Sequence, residues 1–209
     1  LPILALHLNE QQKGQALHGA LSAACMLKDE SERALILAAL ASHILDEELK
    51  KQVLREALLA AHEIEFTSQR VETLTAIAPH LDEKLRKKIL QEALFLARGL
   101  SEESHVNAIA ALAPHLDEKI RKGALQEALL LMRKMNALFN RVNASAVLAP
   151  HLSEKLRKQI LQEALAIISK FKDSIHGYHA LAVLAPHLDE ELRIEVLREY
   201  FPASREIQD

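Results

Sequence analysis

The chain has 209 residues, of which 49% are hydrophobic, 26% are charged and only 3% are aromatic. Its 5 glycines leave few tight turns, and strand-favouring residues are scarce beside Ala and Leu, which argues against a β-sheet protein. The formal net charge of -3 weighs against a polyanion-binding surface. A single cysteine excludes a disulfide framework and predicts a reducing, cytoplasmic setting. No apolar run reaches the roughly 18 residues of a membrane span, and no segment has the pattern of a secretory signal.

The motif Ala-Pro-His-Leu recurs along the chain. Four intact copies occupy 78–81, 113–116, 149–152 and 185–188, and their prolines lie 35 or 36 residues apart. Two decayed copies, at 5–8 and 41–45, extend the series upstream. One histidine column therefore runs through the repeats, at His7, His43, His80, His115, His151 and His187. Self-similarity at a fixed period of this length is typical of stacked structural repeats.

An amphipathic segment, here named helix A, follows each copy of the motif. In one copy Leu85, Ile89, Ala93 and Ala97 recur every four residues, as on one face of an α-helix. An Asp, Ser or Asn opens each segment and can cap the helix. The pattern predicts A helices over 9–27, 46–64, 82–100, 117–135 and 153–171.

A second segment, helix B, is rich in small residues and follows each helix A. Capping residues open it at Thr67-Ser68, at Ser101 and at Asp173-Ser174. Because proline disfavours helical geometry in the preceding residue and lacks an N–H, helix B should end or kink at the motif. We expect the leucine of the motif to anchor this turn to the core.

One helix pair of this length buries too little surface to fold alone, so neighbouring pairs must supply the missing core. The sequence therefore predicts an all-α protein, an α-solenoid of antiparallel helix pairs with about five and a half repeats. We expect a single domain, 1–209, with a partial repeat at 1–8, full repeats at 9–45, 46–81, 82–116, 117–152 and 153–188, and a C-terminal capping helix at 189–209. Since Leu1 is not a start methionine and the chain opens inside a repeat, we expect a fragment of a longer protein.

The repeat unit resembles known helical repeats. It is similar to a tetratricopeptide repeat in its two-helix length and its proline, but it lacks that family's aromatic and glycine positions. It is similar to a HEAT repeat around Leu85-Arg86, although its period is shorter. Over essentially the whole chain it resembles the degenerate Ala-Leu-Ala-Pro-His-Leu repeats of large bacterial proteins, often found beside a signalling NTPase module. That resemblance implies a sensor or protein-interaction segment.

Three positions of helix B vary between copies while their surroundings stay constant. They lie ten, nine and seven residues before the proline. The first and third share a helix face, and stacked copies would align them as a stripe along one surface. We interpret this stripe as the recognition surface for a protein or peptide; the alternative is a solvated face that has drifted. The candidate binding residues are Gln69, Arg70 and Glu72; Ser104, His105 and Asn107; Asn140, Arg141 and Asn143; and His176 and His179, with Gly177 between the last two.

A positive ridge on the A helices provides an alternative function. Its residues are Lys50, Lys51, Arg86, Lys87, Lys88, Arg121, Lys122, Arg157, Lys158 and Arg193. Such a ridge could follow a nucleic-acid backbone. Stacking aromatics are missing, however, and acidic residues sit one turn upstream, so mixed-sign pairing on a solvated face is the favoured interpretation.

Metal binding and catalysis are not predicted. Motif histidines of stacked repeats would lie about 8–10 Å apart, too far to share one zinc ion. His176 and His179 share a face, but the sequence supplies no further ligand. Cys25 lies in an apolar stretch, so we expect it to be buried and unreactive.

The sequence thus predicts a protein- or peptide-binding scaffold that is no enzyme, needs no cofactor and does not enter a membrane. Self-association through exposed terminal repeats stays open.

Overall fold

A computed structural model describes residues 10–171 and 175–200. All regular structure in these ranges is helical, which confirms the all-α class. The α-helices are α1 (Glu10–Cys25), α2 (Glu30–Ala41), α3 (Glu47–Glu63), α4 (Thr67–Ile77), α5 (Glu83–Ala97), α6 (Glu102–Leu112), α7 (Glu118–Lys134), α8 (Leu138–Leu148), α9 (Glu154–Ile168), α10 (Ile175–Leu184) and α11 (Glu190–Tyr200). The odd-numbered helices are the predicted A helices and the even-numbered ones the B helices.

The helices fall into two compact units, Leu1–Gly99 and Leu100–Asp209. In the first unit α2 packs against α3 and α4 against α5, and α2 also contacts α1 and α4. In the second unit α6 packs against α7 and α8 against α9, and α8 also contacts α6 and α10. In both units, therefore, these B helices pack against the A helix that follows them in sequence, and successive B helices touch.

Side-chain caps begin most of the A helices. The carboxylates of Asp46, Asp82, Asp117 and Asp189 each accept a hydrogen bond from the backbone N–H three residues later. Such a bond satisfies one of the donors left free at a helix start. The repeated acidic residue after the motif therefore acts as the predicted cap in these four copies.

The predicted caps of the B helices have mixed outcomes. Ser101 caps α6 by accepting from the Ser104 N–H, as predicted. The prediction for Thr67-Ser68 is wrong, because Thr67 is already the first residue of α4: the N-cap is Phe66, whose side chain makes no capping bond. The proposed cap at Asp173-Ser174 lies outside the described residues.

The Ala-Pro-His triplet ends each of the helices α4, α6, α8 and α10 in the same way. The α-helix stops just before the triplet, which then forms one 3₁₀ turn, over Ala78–His80, Ala113–His115, Ala149–His151 and Ala185–His187. The following leucine is buried at Leu81, Leu116 and Leu188 and half-buried at Leu152. The leucine thus anchors the turn to the core, as expected.

An extra residue distinguishes the decayed copy between α2 and α3. Ile44 takes the place that leucine has in the intact motifs and is only 5% exposed. The next residue, Leu45, is 91% exposed, although it is as hydrophobic as its neighbour. The insertion is therefore accommodated as a solvent-facing bulge before the Asp46 cap.

This pair of neighbours provides a stability test. We expect Ile44→Ala to lower the free energy of unfolding by about 2–5 kcal/mol, because it leaves a cavity in the core. Leu45→Ala should change it by no more than about 0.5 kcal/mol, because the side chain already faces water. Urea denaturation followed by circular dichroism measures both. Equal losses in the two variants would contradict the assignment of Ile44 to the core and of Leu45 to the bulge.

Candidate functional site

The predicted recognition residues differ in their exposure to solvent. Glu72, Asn107, His176 and His179 are exposed. The half-buried ones are Gln69, Arg70, Ser104, Asn140, Arg141 and Asn143. His105 is only 6% exposed. The three variable positions of helix B therefore do not form one uniform surface.

The position nine residues before the proline faces the end of the preceding A helix. The Arg70 guanidinium donates to the Ile64 carbonyl, with Nε 2.9 Å from the oxygen. Arg33 occupies the same position one copy earlier and donates to the Leu27 carbonyl at 3.1 Å. The last carbonyls of a helix receive no hydrogen bond from an N–H of the same helix, and these arginines supply one. In these two copies, the side chain nine residues before the proline therefore bonds helix B to the end of the preceding helix A.

The same position in the second unit is filled differently. Buried His105 places its Nε2 atom 3.5 Å from the Glu127 carboxylate on α7. Arg141, its counterpart on α8, has a buried Nε atom without a hydrogen-bond acceptor. Two residues on, the Asn143 Oδ1 atom is buried without a hydrogen-bond donor. An unsatisfied buried polar group costs about 1–3 kcal/mol, so such groups in a folded protein call for an explanation.

The position ten residues before the proline connects two B helices. The Asn140 Nδ2 group on α8 donates to the Glu103 carboxylate on α6 at 2.9 Å. This bond agrees with the packing of α6 against α8.

The position seven residues before the proline is the most accessible of the three. Asn107 and His179 are exposed and Asn143 is half-buried. The position four residues later, three before the proline, is also exposed and holds an apolar residue. It shares a helix face with the first position, but the sequence did not single it out. We name as the neutral face the six residues that these two positions supply in the second unit: Asn107, Ala111, Asn143, Val147, His179 and Val183.

The neutral face lies in stretches of sequence without formal charge. No Asp, Glu, Lys or Arg occurs in 104–114, 142–150 or 175–186. The intervening helices α7 and α9 are instead rich in Lys, Arg and Glu. In the second unit, therefore, most charged side chains lie on α7 and α9, whereas α6 and α8 carry only Glu102, Glu103 and Arg141, outside these stretches.

Three lysines of the positive ridge on the A helices are paired closely with acidic side chains. Lys51 lies 2.7 Å from Glu48, Lys87 lies 2.7 Å from Glu83, and Lys158 lies 2.7 Å from Glu191. The hydrogen bond and charge of Lys51 lower the pKa of Glu48, and Lys87 lowers the pKa of Glu83 in the same way. These exposed pairs are the mixed-sign pattern expected of a solvated helix face.

A hydrogen bond in the first unit and an ion pair in the second also join successive A helices. His62 of α3 lies 2.9 Å from Glu92 of α5, and Arg133 of α7 lies 3.1 Å from Glu163 of α9. Both pairs span 30 residues of sequence. The same register therefore brings equivalent side chains together in both units.

Cys25 and the histidines of the described ranges are among the residues that could take part in a metal site. The expectation that Cys25 is buried is wrong: this last residue of α1 is exposed, because the apolar residues around it do not cover its side chain. Among the described residues, no three or more His, Cys, Asp and Glu side chains are grouped as a metal site would require. Nor is any helix in the described ranges long and apolar enough to cross a membrane.

Comparisons with known proteins found no match: no family model, no curated protein and no solved structure is similar to this chain.

The arginine contact predicts a loss of stability. Arg70→Met keeps most of the aliphatic packing but leaves the Ile64 carbonyl unsatisfied, so we expect the free energy of unfolding to fall by about 1–3 kcal/mol. Glu72→Met, two residues further along the same helix and exposed, should stay within about 0.5 kcal/mol of the parent chain. Thermal and urea unfolding compare the two. A tolerated Arg70→Met would show that the carbonyl contact contributes nothing.

His151, the motif histidine that follows α8, should make the stability of the fold depend on pH. Burial, and then the nearby Arg121, lower the pKa of His151 below its ordinary value. The unfolded chain then binds a proton more readily than the folded chain, so stability falls as the pH drops through this region. The midpoint temperature of thermal unfolding should fall between about pH 7.5 and about pH 5.5, and we expect His151→Gln to make this fall smaller. His115→Gln, at the same motif position but exposed, is the control; an identical pH profile for both variants would contradict the assignment.

Proposed function

We propose that this chain is a polypeptide-binding repeat scaffold, an α-solenoid whose B helices carry the recognition surface. Its role is that of the sensor or interaction segment of a larger bacterial signalling protein, as the repeat resemblance implies. Binding is a reversible equilibrium on a pre-formed surface and includes no covalent step. Solenoids use rows of equivalent side chains on stacked repeats in this way.

The proposal depends on one observation: the position seven residues before the proline, which varies between copies, is accessible on helices that contact one another. In the second unit α8 contacts both α6 and α10. Asn107, Asn143 and His179 occupy equivalent places on these helices. Their sequence neighbours Val106, Ala108, Val142, Ala144 and Ala180 are buried. Of the varying positions, the one seven residues before the proline is the most accessible to a partner: Asn107 and His179 are exposed and Asn143 is half-buried.

The charge distribution disfavours the nucleic-acid alternative. A phosphate-binding ridge needs cations that can exchange their counterions for phosphates. In this chain Lys51, Lys87 and Lys158 already have carboxylate partners on the same surface. A nucleic acid would have to displace those carboxylates and would meet their repulsion.

Matched triple variants test the proposal. Peptides are first selected on the full chain from a phage-displayed random library. The B-helix variant Asn107→Ala/Asn143→Ala/His179→Ala should bind them at least tenfold more weakly, which corresponds to about 1.4 kcal/mol. The control variant Gln91→Ala/Gln126→Ala/Gln162→Ala replaces three exposed residues of α5, α7 and α9 and should bind within about twofold of the parent. Equal binding by the two variants would contradict the proposal.

Fluorescence anisotropy with a labelled oligonucleotide separates the two functions. We expect weak binding that disappears with modest added salt. Specific oligonucleotide binding with a steep salt dependence, abolished by Lys88→Ala/Lys122→Ala rather than by the B-helix variant, would replace the proposal with the nucleic-acid function.

A further inference from the structure

The neutral face has a regular chemical pattern. Each of the helices α6, α8 and α10 contributes a hydrogen-bonding side chain followed one turn later by an apolar one: Asn107 and Ala111, Asn143 and Val147, His179 and Val183. Because α8 contacts both α6 and α10, the three pairs lie on adjacent helices. The face therefore offers a row of polar groups beside a row of apolar ones.

From this pattern we infer that the neutral face binds an extended polypeptide segment that carries no charged side chains, with Asn107 and Asn143 bonded to its main chain. The inference rests on the proposed function and adds the chemical class of the partner. Its first support is electrostatic. The six residues of the face include no Asp, Glu, Lys or Arg that would pair with a charged partner side chain, and burying an uncompensated charge costs far more than burying a neutral polar group.

The second support is the hydrogen-bonding capacity of the two asparagines. A carboxamide both donates and accepts, so it can pair with the N–H and C=O of a peptide group. The Asn143 Oδ1 atom has no donor in the folded chain. A backbone N–H of a bound segment would satisfy it after a side-chain rotation, which removes the cost of the unsatisfied acceptor.

The third support is the spacing of the repeats. Packed helices lie about 8–10 Å apart. A polyproline II segment turns once every three residues and rises about 9 Å in doing so, and it has no internal hydrogen bonds. Equivalent asparagines on neighbouring helices therefore match main-chain groups three residues apart on one side of such a segment.

The composition of the selected peptides is the first test. A library of random peptides is selected on the full chain, and Asp, Glu, Lys and Arg should occur among binders at less than half their frequency in the unselected library. In the tightest binder, N-methylation of single main-chain nitrogens should weaken binding most at positions three residues apart. Binders as charged as the starting library, or an N-methyl scan without positional effects, would overturn the inference.

A charge introduced into the face is the second test. Asn107→Lys should weaken the neutral binder at least tenfold, while Gln126→Lys, an equal charge at an exposed position of α7, should change binding less than twofold. Asn107→Lys should also bind a version of the peptide with one added Glu better than the neutral version, as expected where charge sets specificity.

The outcomes separate this inference from the proposed function. Charged peptides whose binding is lost on Asn107→Lys would overturn the inference and leave the B-helix scaffold intact. Peptides whose binding is unchanged by Asn107→Lys would overturn both the inference and the proposed function. The absence of any selected binder would do the same. A dimer of the parent chain that Asn107→Lys dissociates, seen by sedimentation, would assign the face to a second copy and overturn the inference alone.

Discussion

Close packing of helices on columns of alanine is the constraint on which the rest of the structure depends. Ala57, Ala93, Ala128 and Ala164 occupy the same place in four A helices, and none has any exposed surface. Ala78, Ala113 and Ala149, at the ends of three B helices, are likewise fully buried. A larger side chain at such a place would push two helices apart, and overpacking of this kind costs about 1–3 kcal/mol. The repeat cannot vary there without losing its contacts.

This constraint explains where the copies are free to differ. Positions that touch a neighbouring helix are held either by packing or by a specific bond, as with Arg33 and Arg70 on the carbonyls of the preceding helix. The position seven residues before the proline has neither kind of contact at Asn107, which is exposed. The repeat thus leaves one row of residues whose identity the fold does not determine. Selection for a partner can act on that row at little cost in stability.

Local rules account for the parts of the fold that could be predicted. Asp46, Asp82, Asp117 and Asp189 cap their helices, because the cap depends only on residues three positions apart. Ser153, which was predicted to cap in the same way, makes no capping bond. The proline turn is equally local. Tertiary neighbours decided the rest. Nothing in the sequence around His105 differs from that of a solvent-facing polar residue, and its burial follows from the position of α7 with Glu127. Phe66 stands at the N-cap of α4 because the preceding helix ends at Glu63 and fixes the path of the chain.

The sequence predicted where the candidate site lies on the B helices, but only partly which of its residues are exposed and which bond to a neighbouring helix. Variation among the copies pointed to three places per B helix, but variation alone does not distinguish a residue that binds a partner from one that bonds to the next helix. Asn140 is in the second class, since it donates to Glu103. The apolar residues Val147 and Val183 were missed because an apolar side chain in helix B is expected to face the core. Their relevance depends on exposure, which only the packing of the helices determines.

The separation of charge between the two kinds of helix has a physical consequence for how such a protein could evolve. Charged A helices stay soluble and pair across the repeat, as Arg133 does with Glu163. Because these pairs are exposed, each contributes little to stability, and their loss is tolerated. The stretches of α6, α8 and α10 without Asp, Glu, Lys or Arg can then present amides and small apolar groups. Some contacts still link the two kinds of helix, since Arg33 of α2 pairs with Glu63 of α3 and His105 of α6 lies 3.5 Å from Glu127 of α7. Residues away from such contacts are the ones that can change independently on the two surfaces.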